Sequence, residues 1–196
     1  MSAGNLFRGT LHLRSVRTGL LVEGGLLLLA LALGVLTGYS PLLLWNPTAV
    51  SLLMGVAATI PMVLALGVMA ALPFGPIRQL FEVMRGFYRD FFAGSSIMDL
   101  ILISVAAGIG EEFLFRGFLQ QALGDLFGPE SGLLLASIAF GLAHSVTLTY
   151  ALLATLFGCF LGWLMQYTDD LVAPIVTHAL YDCVALLYLR FRAVPA

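Results

Sequence analysis

Three short stretches of this 196-residue chain set ionisable side chains inside apolar sequence: Gly110-Glu111-Glu112-Phe113-Leu114-Phe115-Arg116-Gly117, Phe140-Gly141-Leu142-Ala143-His144 and His178-Ala179-Leu180-Tyr181-Asp182. Glu112 and Arg116 stand four apart. On a helix they share a face with the acid N-terminal to the base, the better ion-pair order, so they can neutralise each other. Glu111 is turned about 100° from its neighbour and has no such partner on its own helix. It must be satisfied by another helix or by water. A carboxyl kept from bulk water is suited to accept and return a proton, which makes Glu111 the candidate general base. His178 and Asp182 also stand four apart and share a face, and His144 brings a second imidazole from elsewhere. Converging on one cavity, these groups would hold a water molecule and hydrolyse an acyl bond. Glu111, helped by His144, would deprotonate the water, while His178 and Asp182 would steady the developing oxyanion. Asp182 can donate a hydrogen bond there only when protonated.

Each residue has a plainer reading. A lone histidine in a membrane helix often serves as a packed hydrogen-bond donor, and Glu112 with Arg116 is as readily architectural as catalytic. Glu23, in the first apolar run, stands alone and reads as a helix-packing or interfacial residue. Cys159 and Cys183 lie inside apolar runs and read as small buried hydrophobes. Chemistry is favoured by joint occurrence. Apart from Glu23 and the helix ends, the ionisable residues of the apolar runs all fall within the three motifs, and a charge at the centre of a span costs at least about 2.5 kcal/mol.

The elements that must position these residues are membrane helices. The chain is 60% apolar and 10% charged, with nine basic residues, all Arg, and eleven acids, whereas a soluble domain carries about 25% charged residues. The mean hydropathy is +1.01. Disorder and a disulfide framework are excluded by the same figures and by the two cysteines, and a net charge of −2 offers nothing to nucleic acid. A span needs about 20 mostly apolar residues. Candidate runs are Gly19 to Gly38, Val50 to Pro73, Ile97 to Gln121, Leu133 to Ala143, Leu148 to Gln166 and Leu171 to Leu189. The expected fold is therefore all-α, a polytopic transmembrane helical bundle of about six spanning helices. The first run is too long for a signal-peptide core and is expected to be retained. The fourth is short, so it and the fifth could form a tight hairpin or a partly re-entrant pair.

Arg8, Arg14 and Arg17 precede the first run, Arg78, Arg85 and Arg89 separate the second and third, and Arg190 and Arg192 follow the sixth. With Asp125, Glu130, Asp169 and Asp170 in the opposite loops, the positive-inside rule expects both termini in the cytoplasm of a multi-pass protein of the inner (plasma) membrane. Residues 74–96 mix Arg with Phe81, Phe87, Tyr88, Phe91 and Phe92 in a helix-like pattern, as a helix lying at the cytoplasmic interface would. An ordinary linker is the competing reading. Gly158 and Gly162 form a G-x-x-x-G pair suited to close helix approach, within the chain or between chains. No internal repeat is evident. The organisation read from this is residues 1–96 with two N-terminal helices and the interfacial segment, 97–189 as the motif-bearing core, and 190–196 as a cytoplasmic tail.

Taken together, E-E-x-x-x-R at Glu111, Glu112 and Arg116, F-x-x-x-H at Phe140 and His144, and H-x-x-x-[N/D] at His178 and Asp182 resemble the three motifs of the CPBP family of intramembrane proteases. This family, CAAX protease and bacteriocin-processing, also called Abi, includes the type II CAAX prenyl endopeptidase. The resemblance covers Ile97 to Leu189. It implies a helical intramembrane endopeptidase in which Glu111 and His144 activate water, His178 and Asp182 form the oxyanion site, and Glu112, Arg116 and Phe140 support the cavity. The prenyl endopeptidases more typically carry Asn where this chain has Asp182, which leaves prenylated substrates unsupported.

Glu111, His144 and His178 could alternatively hold Zn²⁺. No H-E-x-x-H is present and Arg116 would oppose a dication, so a reaction without metal or other cofactor is preferred. The expected partners are membrane lipid and a membrane-associated protein or peptide substrate, with no nucleic acid. The competing functions are a non-proteolytic scaffold or bacteriocin-immunity-type protein and a proton-coupled transporter, since buried Glu and His also build proton relays.

Overall fold

The structure is a computed structural model that describes residues 3–72 and 74–193, with side chains described for 16–72 and 74–192. The side chains of Arg8 and Arg14 and the extreme ends of the chain, on which part of the expected orientation rests, lie outside these residues. Among the described residues eight α-helices follow one another: α1 (Ala3–Thr37), α2 (Ala49–Ala71), α3 (Gly75–Phe91), α4 (Ile97–Glu112), α5 (Gln120–Phe127), α6 (Pro129–Ala143), α7 (Leu148–Thr168) and α8 (Val172–Ala193). A 3₁₀ turn at Pro41–Leu44 joins α1 to α2, and a π-helical segment, Phe113–Leu119, fuses α4 and α5 into one rod. The protein is an all-α polytopic helical bundle.

Four helical stretches are each long and apolar enough to cross a membrane: Val16–Thr37, Ala49–Ala71, Leu148–Thr168 and Val172–Arg192. Their outer faces are greasy, with Leu36, Leu53, Leu64 and Leu156 largely exposed, which is the arrangement that lets lipid solvate a helix. The remaining two apolar runs differ from simple spans. The third is interrupted by the π turn and runs on to Phe127, and the fourth starts earlier than expected, at Pro129 behind Gly128. At 15 residues, α6 is about 22 Å long against a hydrocarbon thickness of about 30 Å. It lies along α7 as the short arm of a helical hairpin.

Helix ends are set by local chemistry. Ser96 caps α4 in a capping box, its hydroxyl accepting from the Asp99 amide at 3.1 Å while the Asp99 carboxylate accepts from the Ser96 amide at 2.8 Å. Thr48 and Thr147 cap α2 and α7 in the same manner, each accepting from the amide three residues on. Residues 74–96, read as either an interfacial helix or a linker, hold the amphipathic helix α3. Ile77, Leu80, Phe81 and Tyr88 are buried while Arg78, Glu82, Arg89 and Asp90 are exposed. Its inner face packs on α8, α1 and α7, and Arg190 at the end of α8 donates to the Ser95 carbonyl at 2.6 Å.

The N-terminal helices are packed onto the motif-bearing ones: α2 runs along α8, and α1 along α4 and the π segment. Close approach of α1 depends on Gly110, where a Cβ would lie 2.5 Å from the Glu23 carbonyl oxygen. The Gly158 and Gly162 pair is spent inside the chain. Gly158 faces Ser137 of α6, and Gly162 faces Gln120 of α5 and Leu133 of α6. Their carbonyls accept hydrogen bonds from Arg116 at 3.2 Å and Gln120 at 3.1 Å.

Candidate active site

The motif residues reach one place from three helices. Glu111 and Glu112 end α4, Arg116 lies in the π segment, Phe140 and His144 are at the C-terminal end of α6, and His178 and Asp182 stand one turn apart on α8. A cavity of about 290 Å³ is lined by Glu111, Phe140, His144, His178 and Asp182 together with apolar side chains of α2, α3, α7 and α8. Glu112 and Arg116, 0% and 1% exposed, lie behind its wall. All seven sequence-predicted site residues are thus brought together.

Glu112 is the hub of the buried network. Its Oε1 accepts from Arg116 Nη1 at 2.8 Å and from His178 Nδ1 at 2.7 Å. The i,i+4 pairing with Arg116 was legible in the sequence, whereas the bond to His178 joins residues 66 apart. Arg116 is held further by the Gly158 carbonyl and by the face of Phe140, with Cζ 4.4 Å from the ring centroid. Phe140 in turn meets His144 (centroids 4.4 Å apart), His178 (5.8 Å) and Phe115 (5.2 Å). A ring at this position therefore spaces both imidazoles.

On the cavity side, Glu111 Oε2 is 3.6 Å from His144 Nε2 and 4.0 Å from His178 Nε2. Oε2 is buried with no hydrogen-bond partner, although Glu111 is only 9% exposed. A buried carboxylate oxygen left open among imidazoles is costly unless something fills the gap. His144 uses Nδ1 on its own helix, donating to the Phe140 carbonyl at 2.9 Å, and so presents Nε2 to Glu111. His178 is held between acids, Glu112 at Nδ1 and Asp182 at 3.5 Å from Nε2.

The site residues from Glu111 to Asp182 fall within residues 93–184, the segment that matches the family described as type II CAAX prenyl endopeptidase Rce1-like. Over residues 93–184 the chain is similar to the CAAX-protease family. A protein of Bacillus subtilis (strain 168), named "Uncharacterized protein YpbD", is 30% identical over 112 residues, which is 56% of this chain and 55% of that protein. The chain thus spans about half the length of this curated relative. No solved structure matches it. The N-terminal helices add to the matched segment rather than stand apart from it: α1 and α2 both help wall the cavity.

Glu23 is the clearest case. It stands alone in the sequence, but α1 brings it into the wall of the same cavity, with Oε2 buried and unpartnered. Nothing in the local sequence links it to Glu111. Gly110 was the available signal, since it is the position at which α1 can come close. Tyr150 and Tyr181, which also line the cavity, carry no motif that would have found them. Glu111, His144 and His178, the set named for Zn²⁺, face one another across the cavity, with Glu111 Oε2 3.6 and 4.0 Å from the two imidazoles. His178 has one nitrogen on Glu112 and faces Asp182 with the other, and a guanidinium lies within the same network.

Proposed function

We propose that this protein is an intramembrane endopeptidase of the CAAX-protease family that hydrolyses a peptide bond of a membrane-associated protein or peptide, with Glu111 as the general base. The observation that carries the reading is the open Oε2 of Glu111, facing His144 and His178 across the cavity. A water molecule bound there would touch Glu111 and His144 together. Glu111 takes one proton as the water oxygen attacks the carbonyl carbon. The carbonyl oxygen becomes an oxyanion facing His178, whose Nδ1–H is engaged by Glu112 and whose Nε2–H donates to the oxyanion. Asp182 steadies that imidazole from 3.5 Å. The C–N bond then breaks, the amine nitrogen takes the proton from Glu111, and a carboxyl and an amine product leave.

Glu112 and Arg116 act as positioning residues on this reading, because neither lines the cavity. The reaction needs no metal step, and the Arg116 cation in the network supports that preference over zinc. The test compares peptides released from membranes bearing wild type or Glu111→Gln at matched abundance, with and without chelator. The expected result is a fragment lost with the variant, a fall of at least about 10²-fold, and unaffected by chelation. Loss on chelation would move the reading to a metalloendopeptidase. Identical peptides from both proteins would move it to a non-proteolytic scaffold.

A further inference from the structure

The wall of the active cavity carries an uneven set of charges. Three carboxyls face it, Glu23, Glu111 and Asp182, against the two imidazoles of His144 and His178, and among the described residues no arginine lines it. Arg116, the one basic residue in the neighbouring network, is consumed by Glu112, the Gly158 carbonyl and the Phe140 ring. Two of the three carboxyls already have work in the cavity: Glu111 stands 3.6 and 4.0 Å from the imidazoles, and Asp182 stands 3.5 Å from His178. Glu23 has none, and its Oε2 is buried without a hydrogen-bond partner.

Position adds to charge. The Glu23 backbone sits against Gly110, the residue before the candidate base, and Glu23 lines the same cavity as Glu111, His144 and His178. An unpaired acid on a membrane helix is costly, and a cation supplied by the substrate would recover that cost on binding. A substrate group of negative charge would meet three acids, and the one imidazole that carries both protons, His178, is already set between Glu112 and Asp182. Specificity of this kind is a difference between one favourable and one repelled partner.

Resting on the endopeptidase reading, we propose that the cavity takes a peptide segment carrying a basic side chain or amino group beside the scissile bond, with Glu23 as its counter-charge. A tail presenting a free carboxylate at that point is turned away.

The test uses the full chain in detergent micelles and a set of apolar fluorogenic peptides with blocked ends. They differ at one residue near the cleaved bond, which is Arg, norleucine or Glu, and a further norleucine peptide ends there in a free carboxylate. Wild type is expected to cleave the Arg peptide about tenfold better in kcat/KM than the norleucine peptide, and the acidic ones least. In Glu23→Gln the Arg-to-norleucine ratio falls to within about twofold, and in Glu23→Asp it is largely kept. A merely structural role for Glu23 would lower all rates and leave the ratio intact. Equal cleavage by wild type, an unchanged ratio in Glu23→Gln, or preference for the free carboxylate each overturns the proposal. If wild type cleaves none of the peptides, the endopeptidase reading fails separately, and binding of the same peptides decides. Tighter binding of the Arg peptide that is lost in Glu23→Gln upholds the cation site, and equal binding overturns it.

Discussion

Arg116 shows how a single side chain can be indispensable without touching a substrate. It is 1% exposed and neutralises a carboxylate that is 0% exposed, so removing it leaves Glu112 as an uncompensated buried charge. Arg116→Met should therefore destabilise the protein by about 3–5 kcal/mol, read as a fall in unfolding midpoint in detergent micelles. The double variant Glu112→Gln with Arg116→Met should recover part of that loss, and failure of any recovery would show that packing against Phe140, not charge, dominates. This pair was legible because its partners are one helical turn apart. The Glu112 bond to His178 was not, because a 66-residue separation in sequence becomes 2.7 Å only when α4 and α8 are packed together.

At the scale of elements, close helix approach decides which side chains share the cavity. A Cβ at Gly110 would sit 2.5 Å from the Glu23 carbonyl, so Gly110→Val should push α1 away from α4. The expected cost is about 1–3 kcal/mol, together with a loss of activity larger than that of an exposed control such as Leu64→Ala. Gly162 makes the matching case on the other side. A side chain there meets Gln120 and Leu133 of the same chain, and Gly162→Leu should lower the unfolding midpoint while leaving the oligomeric state measured by cross-linking unchanged. A shift in oligomeric state would place the glycine pair between copies instead. The π-helical segment between these two contacts has no signature among residue types, and π turns occur mostly as local insertions at functional sites. Here it carries Arg116 between Glu112 and Gly158.

The whole molecule has two unlike ends. At one, α3 carries Arg78, Arg85 and Arg89 and packs on α8, whose Arg190 bonds the Ser95 carbonyl. At the other, the Tyr39 hydroxyl donates to Asp125 at 2.5 Å, Gln166 donates to the Pro129 carbonyl at 3.1 Å and the Leu171 amide donates to the Leu44 carbonyl at 2.8 Å. On the positive-inside rule, the arginine end and the α3 side of the cavity are proposed to face the cytoplasm. Single cysteines placed at Arg78 and Arg192 in a background of Cys159→Ser and Cys183→Ser should resist an impermeant thiol reagent added to intact cells. Cysteines at Glu130 and Asp169 should react with it. The reverse pattern would overturn the proposed orientation.

What the sequence determined by itself was everything written in composition and short spacing. Apolar runs dictated an all-helical membrane bundle, because a backbone in lipid must satisfy its own hydrogen bonds, and residues four apart dictated the Glu112 to Arg116 and His178 to Asp182 pairings. The three motifs also marked which polar residues would meet. Tertiary structure alone decided the rest. Recruitment of Glu23, the placing of His178 between Glu112 and Asp182, the π turn and the internal use of Gly158 and Gly162 all depend on which helix faces touch. Such faces are chosen by packing of small residues across distant segments, an interaction that short-range periodicity does not encode.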